Sequence, residues 1–303
     1  MKKQLLPILI ASCLTASAWT LDWDKVQYWA GEGENKAALV VEFSDDGDQY
    51  GYVWGYRWPA GTTATGEDMF RAIASASEDL DLFTQYTGDM GSTVCGIGYS
   101  ADHSVMRDLA FDFDGAQADG NISFNYFSAN GAMGQTQVPG FDTPDICAQA
   151  IEDACDTHIL EHPINARAYG YPAYDYDWWL VPQKSDLDSR WQAGWYKGYW
   201  SYYTGKANSE SLAYSGTGYS SRQLADGDVD AWKYRHLTDD ADGYTGASTP
   251  SAPLNYHHFG EPAEDPIPDG IVDAVNDEPV ILYRFDRVII VKKQGKIYKL
   301  IIK

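Results

Sequence analysis

Two segments near the start of the chain alternate apolar and polar positions with different periods. Residues 49–58, QYGYVWGYRW, put a ring at every second position, Tyr50, Tyr52, Trp54, Tyr56 and Trp58, with Gly51, Val53, Gly55 and Arg57 between them. In an extended chain the five rings share one face, which is either a core or a platform for something flat and partly apolar. The apolar run KAALVVEFS (36–44) comes first and the cluster DDGD (45–48) lies between, so the pair reads as a hairpin. In TATGEDMFRAIASA the period then becomes helical. Thr65 and Asp68 form a capping-box pattern, and Met69, Phe70, Ile73 and Ala74 fall on one stripe. TVCGIGY (93–99) and NISFNYF (121–127) read as strands.

Further on, FDTPDICAQAIEDACDTHILEHP predicts a helix over 144–161, with Thr143 as cap, Pro144 in the first turn and Pro163 as the stop. YGYPAYDYDWWLVP and WQAGWYKGYWSYYTG read as aromatic strands. In the first, Tyr174, Tyr176 and Trp178 alternate with Asp175 and Asp177. In the second, rings on both faces imply that at least one face is buried. Asp226-Gly227-Asp228 predicts a turn before a strand from Val229 to Tyr234. Residues 238–279, rich in Asp, Gly, Pro, Ser and Thr, read as a solvated linker. The basic tail 280–303 carries Gln294-Gly295 between two apolar runs, as a hairpin would. The pattern predicts a β-rich α+β fold: a domain over 19–237, a linker over 238–279 and a small C-terminal β-hairpin unit over 280–303.

The ends add a compartment. Lys2 and Lys3 precede an apolar run from Leu5 to Leu14 and the small residues Ala16-Ser17-Ala18, the layout of a secretory signal peptide over 1–18 cleaved after Ala18. Ile10-Ala11-Ser12-Cys13 offers the alternative of a lipoprotein signal acylated at Cys13. Either route predicts a secreted or surface-anchored protein. A formal net charge of −22 argues against a nucleic-acid partner, whose phosphates call for a basic footprint. Cys95, Cys147 and Cys155 remain after the leader. On a helix over 144–161, Cys147 and Cys155 sit ~12 Å apart along the axis and do not pair with each other, whereas Cys95 with either of them, or no bridge at all, stays open.

Candidate chemistry is sparse. His158-Ile159-Leu160-Glu161-His162 matches H-x-x-E-H, the inverted zinc-peptidase motif, in which a helix puts both imidazoles on one face and the glutamate beside a metal-bound water. Pro163 would place the second histidine in a fraying last turn. Glu210, Glu261 and Glu264 lie on no amphipathic helix that could bring a third ligand. Asp112, Asp114 and Asp119 make an oxygen-rich loop that suggests calcium but lacks EF-hand spacing. Gly216-Thr217-Gly218-Tyr219-Ser220 departs from the G-x-S-x-G of a nucleophile elbow. The aromatic load, 11 Trp and 22 Tyr, is the feature that remains. Such rings suit cores with hydrogen-bonded ends and also ligand platforms.

Two stretches carry a resemblance. ATGEDMFRAIA and, far downstream, GYWSYYTGKANSESLAYSGTGYSSRQLADGDVDAWKY resemble the small β-domain that closes transcobalamin and intrinsic factor, which also occurs in bacterial surface proteins. Tyr199-Trp200 with Tyr203 and Gly205 match that family's aromatic strand, and Leu224, Gly227, Asp228, Trp232 and Tyr234 match its last motif. The resemblance implies a ubiquitin-like β-grasp core, with about 100–190 as a large insertion, and contact with cobalamin. The expected function is therefore capture of a corrinoid by a non-catalytic protein without a cofactor of its own. The expected cleft is formed by Tyr171, Tyr174, Tyr176, Trp178, Trp179 and Trp195, and the expected partner beyond the ligand is an outer-membrane transporter or another surface protein. A glycan-binding or adhesion module and a zinc peptidase using His158, Glu161 and His162 are the alternatives. The tail YRFDRVIIVKKQGKIYKLIIK resembles the sorting tails of exported Bacteroidetes proteins, which implies display on the outer surface.

Overall fold

The computed structural model describes residues 21–45, 48–86, 91–111, 125–127, 133–135, 144–161, 179–180, 188–193, 198–209, 211–236, 263–266, 280–285, 288–293 and 296–301. After a 3-10 turn at Trp23–Lys25, β1 (Trp29–Gly31), β2 (Asn35–Asp45) and β3 (Asp48–Trp58) lead into α1 (Gly66–Ser77). Next come β4 (Leu80–Tyr86), β5 (Ser92–Ser100), the single turn α2 (Val105–Asp108), β6 (Ala110–Phe111), β7 (Asn125–Phe127), β8 (Met133–Gln135) and α3 (Pro144–Ala154). β9 (Ile159–Glu161), β10 (Trp179–Leu180), β11 (Ser189–Ala193), β12 (Gly198–Lys206), β13 (Ala213–Tyr214) and β14 (Asp228–His236) follow. The chain closes with β15 (Val280–Phe285), β16 (Val288–Lys293) and β17 (Lys296–Ile301). It is a β-rich α+β protein with few helices.

β2 and β3 pair antiparallel in full register, from Asn35 opposite Trp58 to Asp45 opposite Asp48, as the hairpin pattern requires. They belong to a six-stranded sheet ordered β1-β3-β2-β14-β12-β13. At its centre β2 and β14 run parallel, so nearly two hundred residues of chain separate two neighbouring strands. α1 starts at the predicted capping box: Thr65 Oγ1 accepts from the Asp68 N–H at 3.1 Å and Asp68 Oδ2 accepts from the Thr65 N–H at 2.8 Å. Its stripe of Met69, Phe70, Ile73 and Ala74 is buried on the sheet.

A second sheet, ordered β11-β5-β4-β9, packs on the same side as α1. Leu80, Leu82, Val94, Ile97 and Tyr99 share one core with Leu39, Val41, Phe43, Tyr52, Trp54 and Trp200. The aromatic face of β3 is therefore interior: Tyr52, Trp54 and Trp58 are buried and Tyr56 packs against them. The reverse face is covered too. Ala38, Val40, Val53, Tyr203, Val229 and Ala231 lie under Leu21, Val26, Trp23 and Trp29 of the N-terminal segment. Gly55 is required there, because a Cβ would stand 2.2 Å from the Trp29 ring.

One element departs from its sequence pattern. The helix expected over 144–161 stops at Ala154, where the His158 N–H closes onto the Ala154 carbonyl at 2.8 Å and His158 takes a left-handed φ of 55°. Residues 159–161 then pair parallel with β4, and the Leu82 N–H donates to the His158 carbonyl. A free strand edge outcompetes the last helical turns. Cys155 thus follows the helix rather than lying in it and is a free thiol. Within the acidic stretch 238–279, residues 263–266 lie against the domain, with the Ala263 N–H on the Val26 carbonyl at 3.0 Å. β15, β16 and β17 form a three-stranded antiparallel sheet whose last pairing closes from Lys293 to Lys296, around the Gln294-Gly295 step. Among the described residues no helix is long and apolar enough to cross a membrane.

Candidate functional site

Of the residues singled out for a ligand cleft, Trp179 pairs with Phe111 in the short β10–β6 ladder. Tyr171, Tyr174, Tyr176, Trp178 and Trp195 lie outside the described residues, as do the Asp112, Asp114 and Asp119 loop, His162, Cys13 and Ala18. The H-x-x-E-H string has lost the helical face its zinc reading needs. His158 is only 5% exposed, with Nδ1 2.8 Å from Asp81 Oδ1, while Glu161 turns outward to accept from Arg71. Asp81 raises the His158 pKa. Burial raises that of Asp81, opposed by the His158 imidazole, His103 and the Met106 amide. Among the described residues no group of three His, Cys, Asp or Glu side chains is arranged to hold a metal ion.

A pocket of about 420 Å³ opens elsewhere, between the first residues of β5, strands β12 and β14, and the loop from β13 to Ser221. Strand register builds its floor. Tyr202 and Trp232 stand directly opposite on β12 and β14, and their rings stack at 4.4 Å and 15°. Trp200 lies two residues along β12, on the same face. Tyr219 meets Trp232 edge-on at 5.8 Å, and its hydroxyl lies 2.9 Å from Thr84 Oγ1. The rim is hydroxyl-bearing: Ser92 and Thr93 on one side, Ser215, Thr217 and Ser221 on the other, while Tyr214 borders it by its backbone and turns its ring onto Tyr203, on the other face of the sheet. Thr217 donates its N–H to Ser215 Oγ, and Ser215 donates its own to the Tyr202 carbonyl, which fixes the loop to the floor strand.

Among the described residues the lining carries no carboxylate, imidazole, amine or guanidinium. Charge is held behind it. Tyr202 donates its hydroxyl to Asp230 Oδ2 at 2.6 Å, Arg222 Nε donates to Asp230 Oδ1 at 2.7 Å, and Arg222 Nη2 reaches Asp228 at 2.9 Å. Burial pushes the Asp230 carboxyl up, against the pull of Arg222 and the Tyr202 hydroxyl. Burial and the Asp230 charge drive the Tyr202 hydroxyl far above the usual tyrosine range, so it stays a donor. Gly66, the first residue of α1, makes room for this network: a Cβ there would lie 2.6 Å from Asp230 Oδ2. The floor rings are thus locked from below, and a preformed aromatic floor under a hydroxyl rim suits a ligand with one apolar face and hydroxyl or amide edges.

Sequence reasoning reached part of this site. Trp200 and Trp232 carried the family resemblance and both line the pocket. Tyr203, matched in the same motif, faces the other side of the sheet, and Tyr234 donates to the Ala193 carbonyl. The loop from Tyr214 to Ser221 holds the Gly216–Ser220 string that departs from a nucleophile elbow. Its run of small hydroxyl and glycine residues between two aromatic strands is a signal by which such a rim can be found.

Fold and pocket together define a β-rich α+β protein with an aromatic, hydroxyl-rimmed pocket. No family model, no curated protein and no solved structure matches the chain.

Proposed function

We propose that this chain is an exported, non-catalytic binding protein whose Tyr202–Trp232 pocket receives the ring of a neutral, hydroxylated ligand, a sugar unit of a glycan. The observation that carries the reading is a lining in which no described residue is charged, with stacked rings below and serine and threonine hydroxyls around. The pocket volume, about 420 Å³, lies near the lower end of the ~300–1,000 Å³ typical of small-molecule pockets, which suits one or two sugar rings. A corrinoid is the second reading. It rests on the resemblance and on Tyr171, Tyr174, Tyr176, Trp178, Trp179 and Trp195, and in this pocket a corrin would engage by one edge.

The sheet order supports the β-grasp reading of the core. A first hairpin (β2, β3), a helix (α1) and then β12, β13 and β14, with first and last strands parallel at the centre, follow β-grasp connectivity. On that reading the stretch from β4 to β11 is the insertion, and its sheet helps wall the pocket through Ser92, Thr93 and Val94.

Calorimetric titration of the mature protein with a panel of neutral oligosaccharides, and with cyanocobalamin, tests the function. Thr217→Val, which removes a rim hydroxyl and keeps the side chain's shape, is expected to weaken glycan binding by roughly three- to tenfold while leaving the melting temperature in place. Heat from cyanocobalamin alone would transfer the assignment to the corrinoid. No heat from any ligand would overturn the pocket as a binding site.

A further inference from the structure

Lys36 and Arg57 stand directly opposite each other in the β2–β3 ladder. Both are largely buried, with side chains 10% and 2% exposed. Two like charges in cross-strand register repel, and burial makes the repulsion worse unless an anion bridges them. The surroundings are built for cations. Lys36 Nζ lies 4.5 Å over the Trp23 ring and the Arg57 guanidinium 5.1 Å over Trp29, the two indoles stacking at 5.9 Å. Arg57 Nη1 also donates to the Gly33 and Glu34 carbonyls at 3.2 and 3.4 Å. Among the described residues Asp265 bridges them: its Oδ1 accepts from Arg57 Nε at 2.9 Å and from Nη2 at 2.5 Å, and its Oδ2 lies 3.5 Å from Lys36 Nζ. Two residues earlier, the Ala263 N–H donates to the Val26 carbonyl. A backbone bond plus a carboxylate held between two cations is how extended acidic peptides are recognised.

We propose that the Lys36–Arg57 pair, roofed by Trp23 and Trp29, is a carboxylate-recognition site, and that Ala263–Pro266 is its resident peptide ligand, latching the chain that leads to the C-terminal strands onto the first sheet. The latch sets how far those strands can travel. Fourteen residues run from Pro266 to Val280 and span at most ~50 Å, against ~150 Å for the forty-four from His236. Closing the latch cuts the maximum reach about threefold. A strongly acidic chain has many carboxylates to offer, and the Ala263 backbone bond selects this one.

The test is hydrogen exchange on the full mature chain, with Asp265→Ala against Glu264→Gln, a neighbouring exposed carboxylate, as control. The Ala263 amide is expected to be protected in the parent and in E264Q and to exchange at least tenfold faster in D265A. Acetate, a free carboxylate, is expected to raise the melting temperature of D265A more than chloride at equal ionic strength, and to act on the parent no more than chloride does. Should D265A fail to fold, D265N reads the same exchange with the side-chain shape kept. An Ala263 amide as fast in the parent as in an unstructured peptide, or unchanged by the variant, overturns the latch. Equal effects of acetate and chloride on D265A overturn the carboxylate site.

Discussion

Replacing Tyr202 with Phe separates what holds the pocket floor from what the floor does. The substitution removes one atom, the hydroxyl that donates to Asp230 Oδ2 at 2.6 Å, and keeps the ring that stacks on Trp232 at 4.4 Å. Asp230 is 1% exposed, so that oxygen has little water to turn to. Losing a hydrogen bond to a buried charged group costs about 1.5–3 kcal/mol. In a domain of this size each kcal/mol is worth roughly 2–4 °C, so the melting temperature should fall by about 3–12 °C. The pH dependence has a definite sign. Burial already raises the Asp230 pKa, and the Tyr202 hydroxyl opposes that rise, so the variant raises it further. A carboxyl whose folded pKa is raised stabilises the fold on protonation, and that gain is lost as pH climbs through the folded value. The deficit of Y202F should therefore shrink as the medium is acidified. Urea denaturation followed by tryptophan fluorescence at neutral and mildly acidic pH measures this, and glycan affinity should stay within about twofold of the parent. A loss below about 0.5 kcal/mol at neutral pH, or a deficit that grows on acidification, would refute the network as the support of the floor.

Three other outcomes follow from the same structure. Thr65→Ala removes the side-chain half of the capping box, the Oγ1 that accepts from the Asp68 N–H, and should cost about 1 kcal/mol in urea denaturation, and an unchanged midpoint would show α1 to be held without that bond. Gly55→Ala puts a methyl 2.2 Å from the Trp29 ring; overpacking of this kind costs about 1–3 kcal/mol, and Trp29 should lose its stack with Trp23, visible as a change in near-ultraviolet dichroism. The His158 pKa is raised by Asp81, so the stability this bond supplies is full below pH 6.5 and fades as pH rises through the folded value. His158→Gln should flatten the fall in stability from pH 6 to 8, and an undiminished slope in the variant would assign it to other groups.

The features legible in the sequence are those decided locally. The β2–β3 hairpin and the Thr65–Asp68 cap follow from a few adjacent residues, and both appear where the pattern places them. The region around 155–161 was not legible, because its outcome depends on a distant strand. The helical pattern through His158 is sound until β4 offers an open edge and Asp81 offers the imidazole a partner 77 residues away in sequence. Arg57 is a second case. Between rings on an alternating strand it reads as the outward face, yet that face is roofed by Trp23, Trp29 and a carboxylate 208 residues further on. No local pattern encodes either partner.

The aromatic surplus is the sequence's strongest hint, and among the described residues most of it answers to architecture. A sheet buried on one face needs apolar residues at alternate positions. This sheet is buried on both, under α1 and the second sheet on one side and the N-terminal segment on the other, so Tyr52, Trp54 and Tyr203 are all interior. Coverage thins where the second sheet ends, at Ser92 on β5, and there the next cross-strand pair in register, Tyr202 and Trp232, looks into a cavity. The pocket is thus the place where one core stops before its strands do. Its floor inherits core-grade rigidity, from Asp230 and Arg222 beneath, without needing any ring that the fold could spare. A binding site formed this way is recognised in sequence by the polar, glycine-bearing loop that borders the rings, Ser215 to Ser221, rather than by the number of rings the chain contains.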